Sequence, residues 1–90
     1  MISDTAETQA LLALAYIAAD ETLLQALLER TGAGIDDLRT NAADPAFLGA
    51  VMDFLLENEE ILKDYCESSN ISPETPMQIR QALPGASPEW

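Results

Sequence analysis

Residues 10–19 read ALLALAYIAA, ten apolar side chains in a row. Alanine and leucine have high helix propensities, so the stretch predicts a helix, which Asp4 can begin as its N-cap. A helix that is apolar all round is buried on most sides, and we expect this one to be central. Ten residues are about half of what a membrane-spanning helix needs. We therefore predict no membrane span and no membrane partner.

A second apolar helix follows Asp44-Pro45, an N-cap and a proline at the first helical position. Residues 45–57 read PAFLGAVMDFLLE, in which Asp53 interrupts an otherwise apolar stretch. Both helices have apolar surface to hide on several sides, and packing them together hides it. We expect residues 10–19 and 45–57 to lie side by side in the middle of the molecule, each flanked by the helix that follows it.

Amphipathic helices follow the two apolar ones. Asp20 can cap a helix that runs to about Thr31, and Gly32 can end it in the left-handed conformation. Asn58 can cap a corresponding helix that ends at Asn70. Both helices are therefore predicted to begin and end within tight turns.

Two shorter helices complete the secondary-structure prediction. The first covers about residues 34–38 and is anchored by Ile35 and Leu38. The second opens at Ser72-Pro73 and closes at Pro84-Gly85. Its predicted core residues are Met77, Ile79 and Leu83.

The two halves of the chain resemble each other when one is shifted by 38 residues. This shift places Asp20 on Asn58 and Gly32 on Asn70. Either an internal duplication or two similar hairpins shaped by the same packing physics accounts for the pattern. The predicted fold is all-α, a compact bundle of five or six helices in two αα-hairpin halves with an approximate 38-residue repeat. We predict that residues 1–84 form a single helical domain and that residues 85–90, which include Trp90, form a mobile C-terminal tail.

The charge of the chain is strongly one-sided, with 16 acidic residues against four basic ones, no histidine and a formal net charge of −12. A negative surface potential repels nucleic-acid backbones and anionic lipid, so we predict no nucleic acid as a partner. The acidic surface favours a basic partner, although acidic charge also serves simply to keep a small protein soluble. An acidic mimic of DNA fits the charge but has no supporting motif.

The residues that most enzymes use are nearly absent. Cys66 is the only cysteine, and with no histidine in the chain it has no partner of the Cys-His type to activate it. We expect a buried, inert thiol at a position that matches Leu28 in the first half. The lone cysteine also excludes an intramolecular disulfide and fits a reducing cytoplasm. We predict no enzymatic activity, no catalytic residues and no cofactor.

The carboxylates offer the remaining candidate chemistry. Asp53, Glu57, Glu60 and Asp64 follow helical spacing, but no segment has the glycine-centred pattern of a calcium loop, and a di-metal bundle needs histidine. We therefore predict no metal site and read most of these acids as solvated. Asp53 is the exception, and we expect it to form an ion pair. The candidate partners of Asp53 are Arg39 and Arg80.

Two segments carry a family resemblance: ALLALAYIAAD at residues 10–20 and DPAFLGAVMDFLL at residues 44–56. Together with Cys66 and the Ser72-Pro73 helix start, they resemble the domain of unknown function 3572 family of short bacterial proteins. The resemblance extends from about residue 7 to residue 83. It implies a cytoplasmic protein of alphaproteobacterial type and agrees with a helical fold, but it implies no activity, cofactor or binding residues. Gly34-Ile35 departs from the pattern by lacking the proline that Pro73 supplies in the second half.

Two hypotheses of function follow. The first is a non-enzymatic protein-interaction module whose acidic surface meets a basic or apolar partner, or a second copy of the chain, because small helical proteins often use surplus apolar residues at an interface. The second is a small-ligand or metal-binding protein with a pocket between the two central helices. That pocket would be lined by Tyr16, Met52, Asp53 and Phe54.

Overall fold

A computed structural model describes residues 3–83 of the protein, all arranged as helices and connecting turns. The all-α prediction is confirmed. The helices are α1 (Ser3–Ala18), α2 (Glu21–Thr31), α3 (Leu38–Asn41), α4 (Pro45–Glu57), α5 (Glu59–Ser69) and α6 (Thr75–Gln81), with a 3₁₀ turn at Ile35–Asp37 before α3.

Helix α4 is the centre of the bundle. It packs most extensively on α1 and α6, and it also contacts α2 and α5. Its inward residues Val51, Met52 and Leu55 are fully buried, because a helix with neighbours on several sides can hide most of its surface. The predicted contact between the two apolar helices is confirmed, since α1 and α4 lie side by side.

Helix α1 is buried on one face only, which corrects the prediction that it is buried on most sides. Its inner face packs on α4, α2 and α6, and the small residues Ala6, Ala10 and Ala13 on α1 are fully buried. Its outer face is open, and Leu11 and Leu12 are 42% and 57% exposed. The remaining helices of so small a domain cover one side of α1 and leave the other to solvent.

Helix α6 makes a larger contribution to the core than its seven residues suggest. It packs on both α4 and α1. Ile79 is fully buried and Leu83, just beyond the helix, is nearly so, as predicted, whereas Met77 is only partly buried. The helix begins at Thr75 rather than at Ser72, because residues 72–75 first form a turn in which the backbone N–H of Thr75 donates to the carbonyl of Ser72. Pro76, which the prediction passed over, is buried at the first turn of α6.

The predicted third helix is only partly right. The segment forms a 3₁₀ turn followed by one turn of α-helix, and Leu38 packs against the core. Ile35, however, is 63% exposed and anchors nothing. A turn this short presents one side to the bundle, and Leu38 occupies it.

Most predicted caps are confirmed with their geometry. Asp20 accepts hydrogen bonds from the backbone N–H groups of Thr22 and Leu23, and Asp44 accepts one from that of Ala46. Gly32 and Asn70 end α2 and α5 in the left-handed conformation, with φ of 76° and 55°. The last two caps lie 38 residues apart, yet this agreement does not establish duplication, which stays a hypothesis.

Two predicted caps behave differently. Asp4 lies inside the first turn of α1 and not at its N-cap. Asn58 occupies the N-cap position of α5, but its side-chain amide donates to the carbonyl of Phe54 at 2.7 Å. The side chain therefore provides a hydrogen bond to the last turn of α4 and none to the first turn of α5. The predicted helix stop at Pro84-Gly85, the tail 85–90 and Trp90 lie outside the described residues.

Within residues 3–83, no helix taken singly combines the length and the apolar character that crossing a membrane requires. Taken together, α1 and α2 meet that test by length and composition, but a bend of 119° separates the two helices.

Candidate functional site

The outer side of α1 is a helical face that is uncharged from Thr8 onward. We call it the α1 outer face, and its members are exposed and repeat at helical spacing along about 21 Å of the helix axis. They are Thr5, Thr8, Leu11, Leu12, Ala15, Ala18 and Ala19. In a chain of net charge −12, this face stands out because it carries no charged side chain from Thr8 to Ala19.

Two leucines are the large apolar residues of the α1 outer face, and Thr8 and Ala15 lie between them around the helix. Leu11 and Leu12 are 42% and 57% exposed, while Ala15 below them is small enough to let another backbone approach closely. Single exposed apolar residues are normal on protein surfaces, and what distinguishes this face is that both of its large apolar side chains are exposed on the same helix. Acidic residues lie at both ends of the face, with Asp4 at one end and Asp20 and Glu21 at the other.

A contact with α5 holds α1 in place. The hydroxyl of Tyr16 donates to Oδ2 of Asp64 at 2.6 Å, and the ring of Tyr16 meets that of Tyr65 edge-on with 5.3 Å between centroids. Burial, reinforced by the hydrogen bond to Asp64, raises the pKa of Tyr16 to about 12. Burial also raises the pKa of Tyr65. The outer face is therefore presented by a helix that is fixed both to α4 and to α5.

The four residues predicted to line a pocket between α1 and α4 do not converge on one space. Met52 is fully buried and Phe54 is 4% exposed, both as packed core residues. Tyr16 points to Asp64 on α5, and Asp53 points to Arg80 on α6. Consecutive residues on a helix are separated by about 100° around its axis, so Met52, Asp53 and Phe54 have to face different neighbours.

Two of the predicted carboxylates form ion pairs that tie α4 to its neighbours. Asp53 accepts from Nε of Arg80 at 2.6 Å, as predicted for one of its two candidate partners. Glu57 accepts from both Nε and Nη2 of Arg30, at 2.9 and 2.6 Å. The hydrogen bond from Arg30 lowers the pKa of Glu57. Among residues 3–83, no group of three or more acidic or cysteine side chains is placed so that it could hold a metal ion.

The predicted burial of Cys66 is confirmed. Its side chain is 4% exposed, and burial raises the pKa of the thiol. Its sulfur lies 3.9 Å from the carbonyl oxygen of Ser72, in the turn that precedes α6. A protonated thiol in this setting is a poor nucleophile.

A groove beside α5 was not predicted from the sequence. It has a volume of about 450 Å³ and runs between one side of α5 and the turn at residues 70–73. Leu62, Ile71 and Pro73 supply apolar side chains, and Glu59, Lys63 and Glu67 follow one another along the helix wall. The four-residue spacing of those three charges is visible in the sequence, but the turn that closes the groove is a feature of the tertiary structure.

One protein family matches this chain. The family described as "Protein of unknown function (DUF3572)" matches residues 3–86, which is nearly the whole chain. No curated protein and no solved structure matches it.

Proposed function

The chain belongs to the DUF3572 family of proteins of unknown function, and we propose that it is a non-enzymatic protein-interaction module that binds a basic protein through the α1 outer face. The observation that carries the proposal is the exposure of both Leu11 and Leu12 on a face that is uncharged from Thr8 to Ala19. Interfaces of stable complexes have apolar centres and polar rims. The α1 outer face has this arrangement, with Asp4 at one end and Asp20 at the other.

The charge of the whole chain supports a basic partner. A net charge of −12 steers cationic proteins toward the surface and slows the approach of acidic ones. The leucines then supply contact area that is removed from water on binding. Long-range attraction and short-range apolar contact therefore favour the same class of partner.

A second copy of the chain fits this face less well than a basic protein does. A two-fold antiparallel pairing of α1 helices brings Asp4 of one copy near Asp20 of the other, and a parallel pairing brings each acid near its own equivalent. Both arrangements place like charges together at the ends of the interface. We therefore expect the purified protein to sediment as a monomer over a wide concentration range.

The proposal is tested with wild-type protein and two variants used as baits in native lysate of the host, with quantitative mass spectrometry of the bound proteins. Leu12→Glu places a charge at the centre of the α1 outer face. Ile35→Glu is the matched control, because Ile35 is 63% exposed and lies outside that face. We expect a basic protein that is enriched by wild type and by Ile35→Glu but not by Leu12→Glu. Identical protein sets on all three baits would contradict the proposal.

A further inference from the structure

The groove beside α5 has a shape that suits an elongated ligand. Residues from Glu59 to Asn70 line it, which corresponds to roughly 16 Å along the helix axis. Leu62, Ile71 and Pro73 give it apolar walls. The groove shares no residue with the α1 outer face. We propose that it is a second binding site, which holds an amphipathic helix of a partner protein with a defined order of charges.

The order of charges comes from one row of exposed side chains on α5. Glu59, Lys63 and Glu67 follow at four-residue intervals along the groove wall, which gives the sequence negative, positive, negative. Lys63 makes no ion pair with any other residue in the part of the chain that the structure describes. These three charges are therefore available to a ligand, as the charges that flank the apolar seam of a coiled coil are available to the partner helix.

The complementary helix carries a basic, an acidic and a basic residue at four-residue intervals, beside a stripe of apolar residues. This order reads the same in both directions, so it applies to a parallel and to an antiparallel ligand helix. The helix-in-groove mode supplies affinity through the apolar stripe, and the charges select the partner. An α5 helix of a second copy in the same register does not supply this order, because like charges would then face each other.

The experiment uses two synthetic helical peptides of equal length with the same leucine stripe. One carries arginine, glutamate and arginine at four-residue intervals, and the other carries glutamate, arginine and glutamate. Fluorescence anisotropy measures their dissociation constants with the full-length protein. We expect the first peptide to bind about tenfold more tightly, as three rim charge pairs together provide. We also expect this preference to shrink at high salt.

The decisive variant exchanges the charges on the protein. The triple variant Glu59→Lys, Lys63→Glu, Glu67→Lys preserves opposite charges at four-residue spacing within α5, and all three side chains are exposed, so the fold is retained. Circular dichroism verifies this. Glu29→Lys on α2 is the matched control, because it changes the net charge of the protein by the same amount away from the groove. We expect the triple variant to prefer the second peptide, and the control to behave like wild type.

Three results would overturn the inference. They are equal affinity of wild type for both peptides, an unchanged preference in the triple variant, and no binding of either peptide. The variant Leu12→Glu separates this inference from the proposed function of the α1 outer face. If the groove is a second site, Leu12→Glu leaves the peptide affinities unchanged, and a loss of peptide binding in this variant would place the peptide on α1 instead.

Discussion

Arg80 and Asp53 form an ion pair across the interface of α6 and α4, with 2.6 Å between Nε and Oδ1. The side chain of Arg80 is only 13% exposed and that of Asp53 is 37% exposed. The pair explains why a charge interrupts the apolar sequence of α4. It holds the short helix α6 in a position that buries Ile79 against α4 and α1.

We predict that Asp53→Ala lowers the free energy of unfolding by about 1–2 kcal/mol, because it removes the carboxylate from a largely buried guanidinium. Glu57→Ala breaks the pair with Arg30, in which both side chains are about half exposed, and we expect it to cost less than Asp53→Ala does, because water screens the pair. Urea unfolding of both variants measures the difference. Equal losses would mean that burial does not distinguish the two pairs.

The unequal burial of α1 and α4 leads to a second prediction. Met52→Ala leaves a cavity at a fully buried position of α4, and we expect it to lower the unfolding free energy by about 2–5 kcal/mol. Leu12→Ala removes a side chain that is 57% exposed, and we expect a change within about 0.5 kcal/mol. A large loss for Leu12→Ala in thermal or urea unfolding would show that the α1 outer face belongs to the core.

The hydrogen bond between Tyr16 and Asp64 predicts a dependence of stability on alkaline pH. The pKa of Tyr16 is raised to about 12 in the folded protein, against an ordinary value of 10.0. The folded state therefore retains a proton that the unfolded state releases, so this contribution is complete below pH 10 and is lost as the pH rises toward 12.

Titration of the phenolate absorbance in the variant Tyr65→Phe follows Tyr16 alone, since these are the two tyrosines of the chain. We expect a midpoint near pH 12 in the folded protein and near 10 in urea. The stability of the variant Tyr16→Phe should decrease less than that of the wild type between pH 10 and pH 12. A folded-state midpoint near 10 would mean that neither burial nor Asp64 acts on this hydroxyl.

The burial of Cys66 predicts slow modification of its thiol. A thiol-reactive disulfide reagent needs both access and a thiolate, and although Cys66 borders the groove beside α5, burial to 4% exposure restricts access and raises the pKa of the thiol. We expect labelling in native buffer at pH 8 to be about a hundredfold slower than in urea, because reaction waits for local or global opening. Comparable rates in the two conditions would contradict the buried position.

Much of the fold could be predicted from local patterns. Asp20 and Asp44 mark helix starts because their side chains accept hydrogen bonds from backbone N–H groups two or three residues later. Gly32 marks a helix end because it has no side chain to oppose the left-handed conformation. The prediction failed where one side chain has two possible hydrogen-bond partners nearby in the sequence. Asn58 can bond either to the helix that follows or to the one that precedes it, and the structure selects the carbonyl of Phe54.

The candidate surfaces were less accessible to prediction than the helices. The run at residues 10–19 indicates a helix, but its composition gives no sign of which face packs, since every side chain there is apolar. The open leucines at positions 11 and 12 became visible only with the neighbours of α1 in place. The groove required the turn at Ser72 and Pro73 to lie beside α5, a contact that no periodicity encodes.

The sequence by itself determined that this protein is helical, where most of its helices begin and end, and that α1 and α4 pack together. These properties depend on propensity, capping and total apolar content, which are local or additive. Only the tertiary structure decided that α4 and not α1 takes the centre, and that one side of α1 stays in water. Those outcomes depend on how six short helices divide a limited buried volume, and that competition involves all of them at once.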